Sequence, residues 1–263
     1  MLRYMRATRR NRGLVVAAVV VALPLAGCGS SSSAKGKQDL LVSAATSLKS
    51  AFTAYGDGFS GANVQLSFAG SDELAAQIRS GARPDVFAAA NTKLPDQLFA
   101  EGLVDRPRVF ATNRLVLAVA FDESKIASLD DLAKPGVKIA IGSPSVPIGS
   151  YTRKLLDRLD DAARKAVLAN VRSQEPDVGG ITAKLTQGAV DAGLLYVTDV
   201  VATNGRLKAI ELPAKLQPQV AYGVAIVNRA KHRAVAADFV DGLLGGAGAD
   251  ALRDAGFKPP PGS

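Results

Sequence analysis

The chain has 263 residues and a mass of 27.2 kDa, with 48% apolar and 5% aromatic residues. This composition is typical of a globular protein and excludes collagen-like and disordered chains, and its length is enough for about two lobes. One Cys and one His exclude an intramolecular disulfide and a zinc site built from Cys and His.

The net charge of +8 does not indicate nucleic-acid binding. Five of the basic residues lie within the first 27 residues, which contain no Asp or Glu: Arg3, Arg6, Arg9, Arg10 and Arg12. Without these five, 27 Lys and Arg face 24 Asp and Glu, a balance of +3. The remaining chain has no basic footprint, so we expect no nucleic-acid partner.

Residues 1–27 are predicted to be the signal peptide of a lipoprotein. Basic residues precede the apolar run Leu14–Leu25, which is too short for an ordinary membrane span. The run leads into Leu25-Ala26-Gly27-Cys28, which resembles the bacterial lipobox, and the resemblance implies cleavage before Cys28 and lipidation of its sulfur. A buried Cys of the folded domain is the alternative. Residues 28–38, rich in Ser and Gly, are predicted to be a flexible tether.

From Asp39 onward, short apolar runs alternate with amphipathic runs. The predicted strands are Leu40–Ala44, Val64–Phe68, Val86–Ala90, Arg114–Phe121, Val137–Ile141, a short segment near Val171, Gly193–Tyr196, Leu207–Leu212 and Tyr222–Val227. The predicted helices are Leu48–Phe59, Asp72–Ser80, Leu94–Glu101, Leu129–Ala133, Tyr151–Asn170, Ile181–Gln187, Ala234–Leu244 and Ala249–Ala255, with Tyr151–Asn170 as the longest. This alternation predicts an α/β architecture with mainly parallel sheets and right-handed crossovers.

Two extended runs predict a division into two lobes. Arg114–Phe121 and Ala221–Asn228 are too long for one compact sheet, so we expect each to carry the chain between lobes. Residues 39–117 and 224–263 would form the first lobe, and residues 118–223 the second. The carboxyl ends of the strands would then face a cleft, where open α/β sheets bind ligands.

Small and hydroxyl residues follow four of the predicted strands. The turns are Ala45–Leu48, Ala69–Leu74, Gly142–Gly149 and Glu175–Gly180. Each precedes a helix, whose first N–H groups lack intrahelical partners and lie at the positive end of the helix dipole. Several such ends at one cleft predict an anion site. Ordinary N-capping is the alternative for Ser47 and Ser71.

The same turns carry a family resemblance. The motifs concerned are Ala44–Leu48, Ser67–Ile78, Gly81–Phe87, Val146–Tyr151, Glu175–Val178, Gly193–Asp199, Ala221–Val227 and Gly256-Phe257. With these motifs, in order and with compatible spacing over residues 39–258, the chain resembles the substrate-binding proteins of molybdate ABC transporters.

The resemblance implies the two-lobed periplasmic-binding-protein fold of type II, with a tetrahedral oxyanion bound in the cleft by neutral donors. Ser47 and Ser71 would each give a hydroxyl and a backbone N–H, Ile148 and Val178 a backbone N–H, and Tyr196 its phenolic hydroxyl. A half-buried aromatic is the alternative for Tyr196. No resident cofactor or metal cation is expected, since the ligand is molybdate or tungstate. Asp72, a departure from the family's pattern, is expected to point to solvent.

The predicted function is that of a monomeric receptor, lipid-anchored through Cys28 on the extracytoplasmic face of the membrane. It would deliver molybdate to an ABC permease and its ATPase, and it would not be an enzyme. No G-x-S-x-G or H-E-x-x-H pattern occurs. The alternatives are a receptor for another oxyanion such as sulfate, an enzyme on the same fold, and an adhesion-type lipoprotein.

Overall fold

The computed structural model describes residues 37–123 and 125–260. These residues belong to one compact unit. The predicted signal peptide, Cys28 and most of the predicted tether lie outside the described residues.

The described residues form two five-stranded sheets. The strands, in chain order, are β1 Asp39–Ala45, β2 Asn63–Ala69, β3 Val86–Ala89, β4 Arg108–Asn113, β5 Leu115–Ala120, β6 Ile139–Gly142, β7 Val171–Glu175, β8 Ala192–Tyr196, β9 Leu207–Glu211 and β10 Val220–Ile226. The α-helices are α1 Lys49–Gly58, α2 Ser71–Arg79, α3 Lys93–Ala100, α4 Pro147–Leu156, α5 Asp161–Ala169, α6 Val178–Thr186, α7 Val197–Val201, α8 Arg233–Gly245 and α9 Ala247–Asp254.

The two sheets have the same strand arrangement. The first has the order β2-β1-β3-β10-β4 and the second β7-β6-β8-β5-β9. In the first sheet, β10 pairs antiparallel with both β3 and β4, and in the second sheet β5 pairs antiparallel with both β8 and β9. The other pairs are parallel, so one strand in each sheet is reversed. The predicted α/β fold with two lobes and mainly parallel sheets is confirmed.

The chain passes twice between the sheets. The first crossing joins β4 to β5 at Arg114, and the second lies between β9 and β10. These limits differ by a few residues from the predicted ones, because Leu115–Leu117 pair in the second sheet and Val220–Gly223 in the first. The side chain of Gln217 ties the crossings together, since its amide accepts from the Leu115 N–H (3.2 Å) and donates to the Leu115 carbonyl (2.8 Å).

The predicted helix Tyr151–Asn170 is wrong, because the segment is divided between two helices. Tight turns end α4, with Arg158 N–H bonded to the Leu155 carbonyl and Leu159 N–H to the Leu156 carbonyl. Asp160 is extended and its carboxylate accepts from the Ala163 N–H at 2.9 Å, which starts α5 as an N-cap. The longest α-helix among the described residues is α8, with 13 residues.

Buried aliphatic side chains fill the space between sheets and helices. The central strands are apolar throughout: β3, β6 and β8 are buried at every position, as expected for strands covered on both faces. Within the described residues, no helix combines the length and the apolar character needed to cross a bilayer.

Candidate functional site

A small cavity lies between the lobes, where β1, β2, β6, β7 and β8 end. All five residues predicted to bind the ligand line it: Ser47, Ser71, Ile148, Val178 and Tyr196. Its other lining residues are Ala45, Thr46, Ala69, Gly70, Ala90, Val146, Pro147, Pro176 and Asp177. The cavity volume is about 20 Å³. One water needs about 10–15 Å³, so the cavity suits one small group.

The first lobe contributes two serine hydroxyls. Ser71 begins α2 and is 1% exposed, and its Oγ accepts a hydrogen bond from the Ala90 N–H at 3.1 Å. Ser47 lies in the 3-10 helix Thr46–Leu48, and its Oγ accepts from the Tyr222 hydroxyl at 3.1 Å. Each serine therefore has an acceptor position occupied by a protein donor, which leaves its own proton for another partner.

In the second lobe, Ile148 is placed by a tight turn between β6 and α4. Pro147 starts α4, as is favoured at a first helical position, and Ile148 follows with its N–H in the unpaired first turn. Gly149 packs so closely on the turn that a Cβ there would lie 1.8 Å from the Ser143 carbonyl oxygen. The turn therefore depends on glycine, and the Ile148 side chain, 2% exposed, packs in the core.

Val178 begins α6 immediately after its N-cap. The Asp177 carboxylate accepts from the Gly180 N–H at 3.0 Å, so the cap occupies the third N–H of the helix. The N–H groups of Val178 and Gly179 precede it and belong to the unpaired first turn. As at Ile148, the group at the cavity is a backbone donor that the side chain does not determine.

Tyr196 ends β8 and is fully buried. Its hydroxyl has no hydrogen-bond partner within the part of the chain that the structure describes. Burial, followed by the nearby Tyr222, Tyr151 and Asp199, raises the pKa of Tyr196 well above its ordinary value, so the hydroxyl stays protonated. A buried, unpaired hydroxyl is costly unless a ligand accepts from it.

Asp199 supports Tyr196 from the first turn of α7. Its carboxyl accepts from the Tyr196 N–H at 3.0 Å. Burial above all, with a smaller effect of Asp177, raises the pKa of Asp199 to about 8, against the lowering effect of that hydrogen bond. Asp199 is therefore mainly protonated at pH 7 and places little negative charge near the cavity.

No cationic side chain lines the cavity among the described residues, and Asp177 is its one charged lining residue there. One Asp177 oxygen accepts from the Gly180 N–H, and the other accepts from the Thr46 hydroxyl at 2.8 Å. Asp72 does not line the cavity and is half-buried at the start of α2. The described residues also contain no cluster of three His, Cys, Asp or Glu that could hold a metal ion.

The two lobes touch beside the cavity. The hydrogen bond from Thr46 to Asp177 joins them, since Thr46 follows β1 and Asp177 follows β7. At a second contact, a Cβ added to Gly70 would lie 2.6 Å from the Pro176 carbonyl oxygen. Sequence reasoning missed the roles of Thr46, Asp177 and Tyr222, although all three lie in or next to motifs that it singled out.

Comparison with known proteins places the chain among solute receptors. Residues 40–258 match the family described as "Bacterial extracellular solute-binding protein". The molybdate-binding protein ModA of Mycobacterium tuberculosis is 37% identical over 263 residues, which cover 95% of this chain and 98% of that protein.

Solved structures share the fold. The periplasmic molybdate-binding protein of Azotobacter vinelandii superposes with a TM-score of 0.75 at 22% identity, covering 84% of this chain and 99% of that one. The sulfate-binding protein SubI of M. tuberculosis superposes with a TM-score of 0.74 at 18% identity, covering 86% and 88%. These similar scores show that the fold alone does not select between the two anions.

Proposed function

This chain belongs to the family of bacterial extracellular solute-binding proteins, and we propose that it is the receptor of an ABC transporter that binds molybdate between its lobes and delivers it to the permease. The role is binding and release, with the ATPase of the transporter supplying the energy on the other side of the membrane. The likeness to ModA of M. tuberculosis supports molybdate as the ligand.

The observation that carries the proposal is a cavity rich in unclaimed donors. The Tyr196 hydroxyl has no partner among the described residues, and the protons of Ser47 and Ser71 are free to be donated. The first turns of α4 and α6 add the N–H groups of Ile148 and Val178. Hydrogen bonds to a charged acceptor are about twice as strong as neutral ones, so several of them offset the desolvation of an anion without a cation.

A donor-rich cavity also selects against protonated anions. Both Asp177 oxygens already accept hydrogen bonds. A proton on the ligand would therefore have to compete with Thr46 or Gly180 for an oxygen of Asp177. An unsatisfied buried group costs about 1–3 kcal/mol. Molybdate and tungstate, which are fully deprotonated dianions at neutral pH, meet this requirement, and so does sulfate. Cavity size is then left to discriminate sulfate from the two larger anions.

The proposal includes a lipid anchor at Cys28 that keeps a monomeric receptor at the extracytoplasmic face of the membrane. Its support is the sequence Leu25-Ala26-Gly27-Cys28 after a basic and apolar leader. Cys28→Ala is expected to leave uncleaved precursor or to release soluble protein. Wild-type processing and membrane retention of the variant would contradict the anchor.

A thermal-shift series with molybdate, tungstate, sulfate and phosphate tests the ligand. A ligand that binds only the folded state raises the unfolding temperature with its concentration. We expect a shift with molybdate and tungstate and little with sulfate and phosphate. A shift with sulfate alone would assign the protein to sulfate uptake, and no shift with any of the four anions would contradict the proposed function.

A further inference from the structure

We propose that Tyr222 is a positioning residue that holds the Ser47 hydroxyl with its proton directed into the cavity. The inference rests on the proposed function, because it concerns how one donor of that site is oriented. Tyr222 lies on β10, is fully buried and is not among the residues that line the cavity. It reaches the site through its hydroxyl, which donates to Ser47 Oγ at 3.1 Å.

Asn113, at the first crossing, favours this direction of the hydrogen bond. The Asn113 amide oxygen accepts from the Arg114 N–H at 2.9 Å, so its nitrogen faces the other way. That nitrogen donates to Thr198 Oγ1 at 2.9 Å and lies 3.5 Å from the Tyr222 hydroxyl oxygen. The Tyr222 oxygen accepts this long hydrogen bond from Asn113 on one side, and its hydroxyl donates to Ser47 on the other.

The Tyr222 hydroxyl also stays protonated. Burial above all, together with the nearby Asp199, raises the pKa of Tyr222 well above its ordinary value. The phenol is thus a permanent donor at neutral pH. Its ring packs edge-on against Tyr196 and Phe257, at centroid distances of 5.7 and 5.2 Å, which fixes where the hydroxyl points.

The consequence for Ser47 follows from the valence of a hydroxyl. A serine oxygen has one proton and two lone pairs. A serine hydroxyl without a protein partner can rotate so that a lone pair faces the anion, and the two then repel each other. With one lone pair held by Tyr222, the favoured rotamer of the Ser47 proton is the one directed away from Tyr222. The Ala90 N–H holds Ser71 in the same manner. The series of hydrogen bonds from Asn113 through Tyr222 to Ser47 also polarises the Ser47 hydroxyl, which makes it a stronger donor.

A double-mutant cycle tests the proposal by calorimetric titration of the full chain with molybdate. Tyr222→Phe removes the hydroxyl and keeps the ring, and we expect it to lower affinity about tenfold. In the Ser47→Ala background, the same change should cost nothing further, since no hydroxyl remains to be oriented. In the Ser71→Ala background it should again cost about tenfold, because Ser71 is held by Ala90 instead.

Tyr55→Phe is the matched control for stability. Tyr55 is a buried tyrosine of the first lobe whose hydroxyl donates to the Phe239 carbonyl at 3.0 Å, away from the cavity. Its loss should lower thermal stability and leave molybdate affinity unchanged. Tyr222→Phe should lower molybdate affinity by more than any change in its unfolding temperature explains.

The possible outcomes separate this inference from the proposed function. If Ser47→Ala lowers affinity but Tyr222→Phe does not, the site stands and the positioning role is wrong. If Tyr222→Phe costs as much in the Ser47→Ala background as in the wild type, its role is structural and the inference also fails. If neither the wild type nor any variant binds molybdate, the proposed function fails, and the inference fails with it.

Discussion

In the first lobe, the turns after β1 and β2 bring Ser47 and Ser71 to the cavity, whereas in the second lobe the corresponding turns after β6 and β7 bring Ile148 and Val178. The strand arrangement is the same, so the four turns occupy equivalent places in the two lobes. The chemistry differs: the first lobe can donate through side chains, and the second can donate through its backbone at these positions. We therefore expect the two lobes to respond differently to substitution at equivalent positions.

The largest effect is expected at the backbone of the second lobe. Gly149→Ala would place a Cβ 1.8 Å from the Ser143 carbonyl oxygen, so the turn that presents the Ile148 N–H must rearrange. We expect a loss of more than about 3 kcal/mol of stability and the loss of measurable molybdate binding. Urea unfolding and calorimetric titration provide the two measurements.

The matched control is Gly58→Ala, since a Cβ at Gly58 would meet no atom within 4 Å. This variant should keep wild-type stability to within about 1 kcal/mol and should bind as the wild type does. If Gly149→Ala were equally harmless, the turn after β6 would not depend on close packing and the backbone account of the second lobe would be wrong.

The second effect concerns the pH dependence of stability that the buried carboxyl of Asp199 confers on the second lobe. Burial raises the pKa of Asp199 from 3.8 to about 8, so between these values the folded protein holds a proton that the unfolded chain releases. The stability that this bound proton confers is fully present below the pKa of Asp199 in the unfolded chain. It is lost as the pH rises through the pKa of Asp199 in the folded protein. Asp199→Asn should remove this part of the pH dependence, a slope of at most about 1.4 kcal/mol per pH unit.

Urea unfolding of both proteins between pH 5 and pH 9 gives the measurement. We expect the variant to gain on the wild type as pH rises, because the amide keeps an acceptor for the Tyr196 N–H and cannot ionise. A constant difference between the two proteins across this range would show that Asp199 does not change its proton on unfolding.

The third prediction tests the comparison of the lobes at equivalent turns. Ser71→Ala removes a hydroxyl donor and should lower molybdate affinity about 10–100-fold. Ile148→Val trims a buried side chain and leaves the N–H in place, so affinity should change by no more than about twofold. Calorimetry of the two variants, with unfolding curves to correct for stability, decides the matter; equal losses would abolish the distinction between side-chain and backbone donors.

The smallest expected effect is at the contact that joins the lobes. Thr46→Val removes the hydroxyl that donates to Asp177, and we expect molybdate to dissociate about three- to tenfold faster, because the bond holds the two lobes together beside the cavity. Thr46→Ser should restore the wild-type rate. Stopped-flow tyrosine fluorescence is suitable, since the chain has no Trp. Unchanged dissociation in Thr46→Val would remove this contact from the account.

The fold was largely predictable because alternation of apolar and amphipathic runs reports α/β structure directly. β4 was missed since it is an edge strand with exposed or half-buried residues at four of its six positions. The break before α5 was missed because the amphipathic pattern continues through it, and only the Asp160 cap marks the new start.

The site was predictable in part, for a physical reason. Ser47, Ser71 and Tyr196 carry donor groups at strand ends, whereas Ile148 and Val178 have no side-chain signal and were predicted as site residues only through family resemblance. The contacts from Thr46 to Asp177 and from Tyr222 to Ser47 join positions 131 and 175 residues apart. No local pattern reports such contacts, so they required the structure.

The most direct test of the account is a calorimetric titration of the wild type and Tyr196→Phe with molybdate. The substitution removes the one cavity hydroxyl that has no partner among the described residues, and it barely changes the shape of the site. We predict saturable binding to the wild type with a single site, and an affinity about 10–100-fold lower in the variant, whose unfolding temperature should not fall. Equal affinity in the two proteins would contradict the claim that neutral hydroxyl donors in this cavity bind the anion.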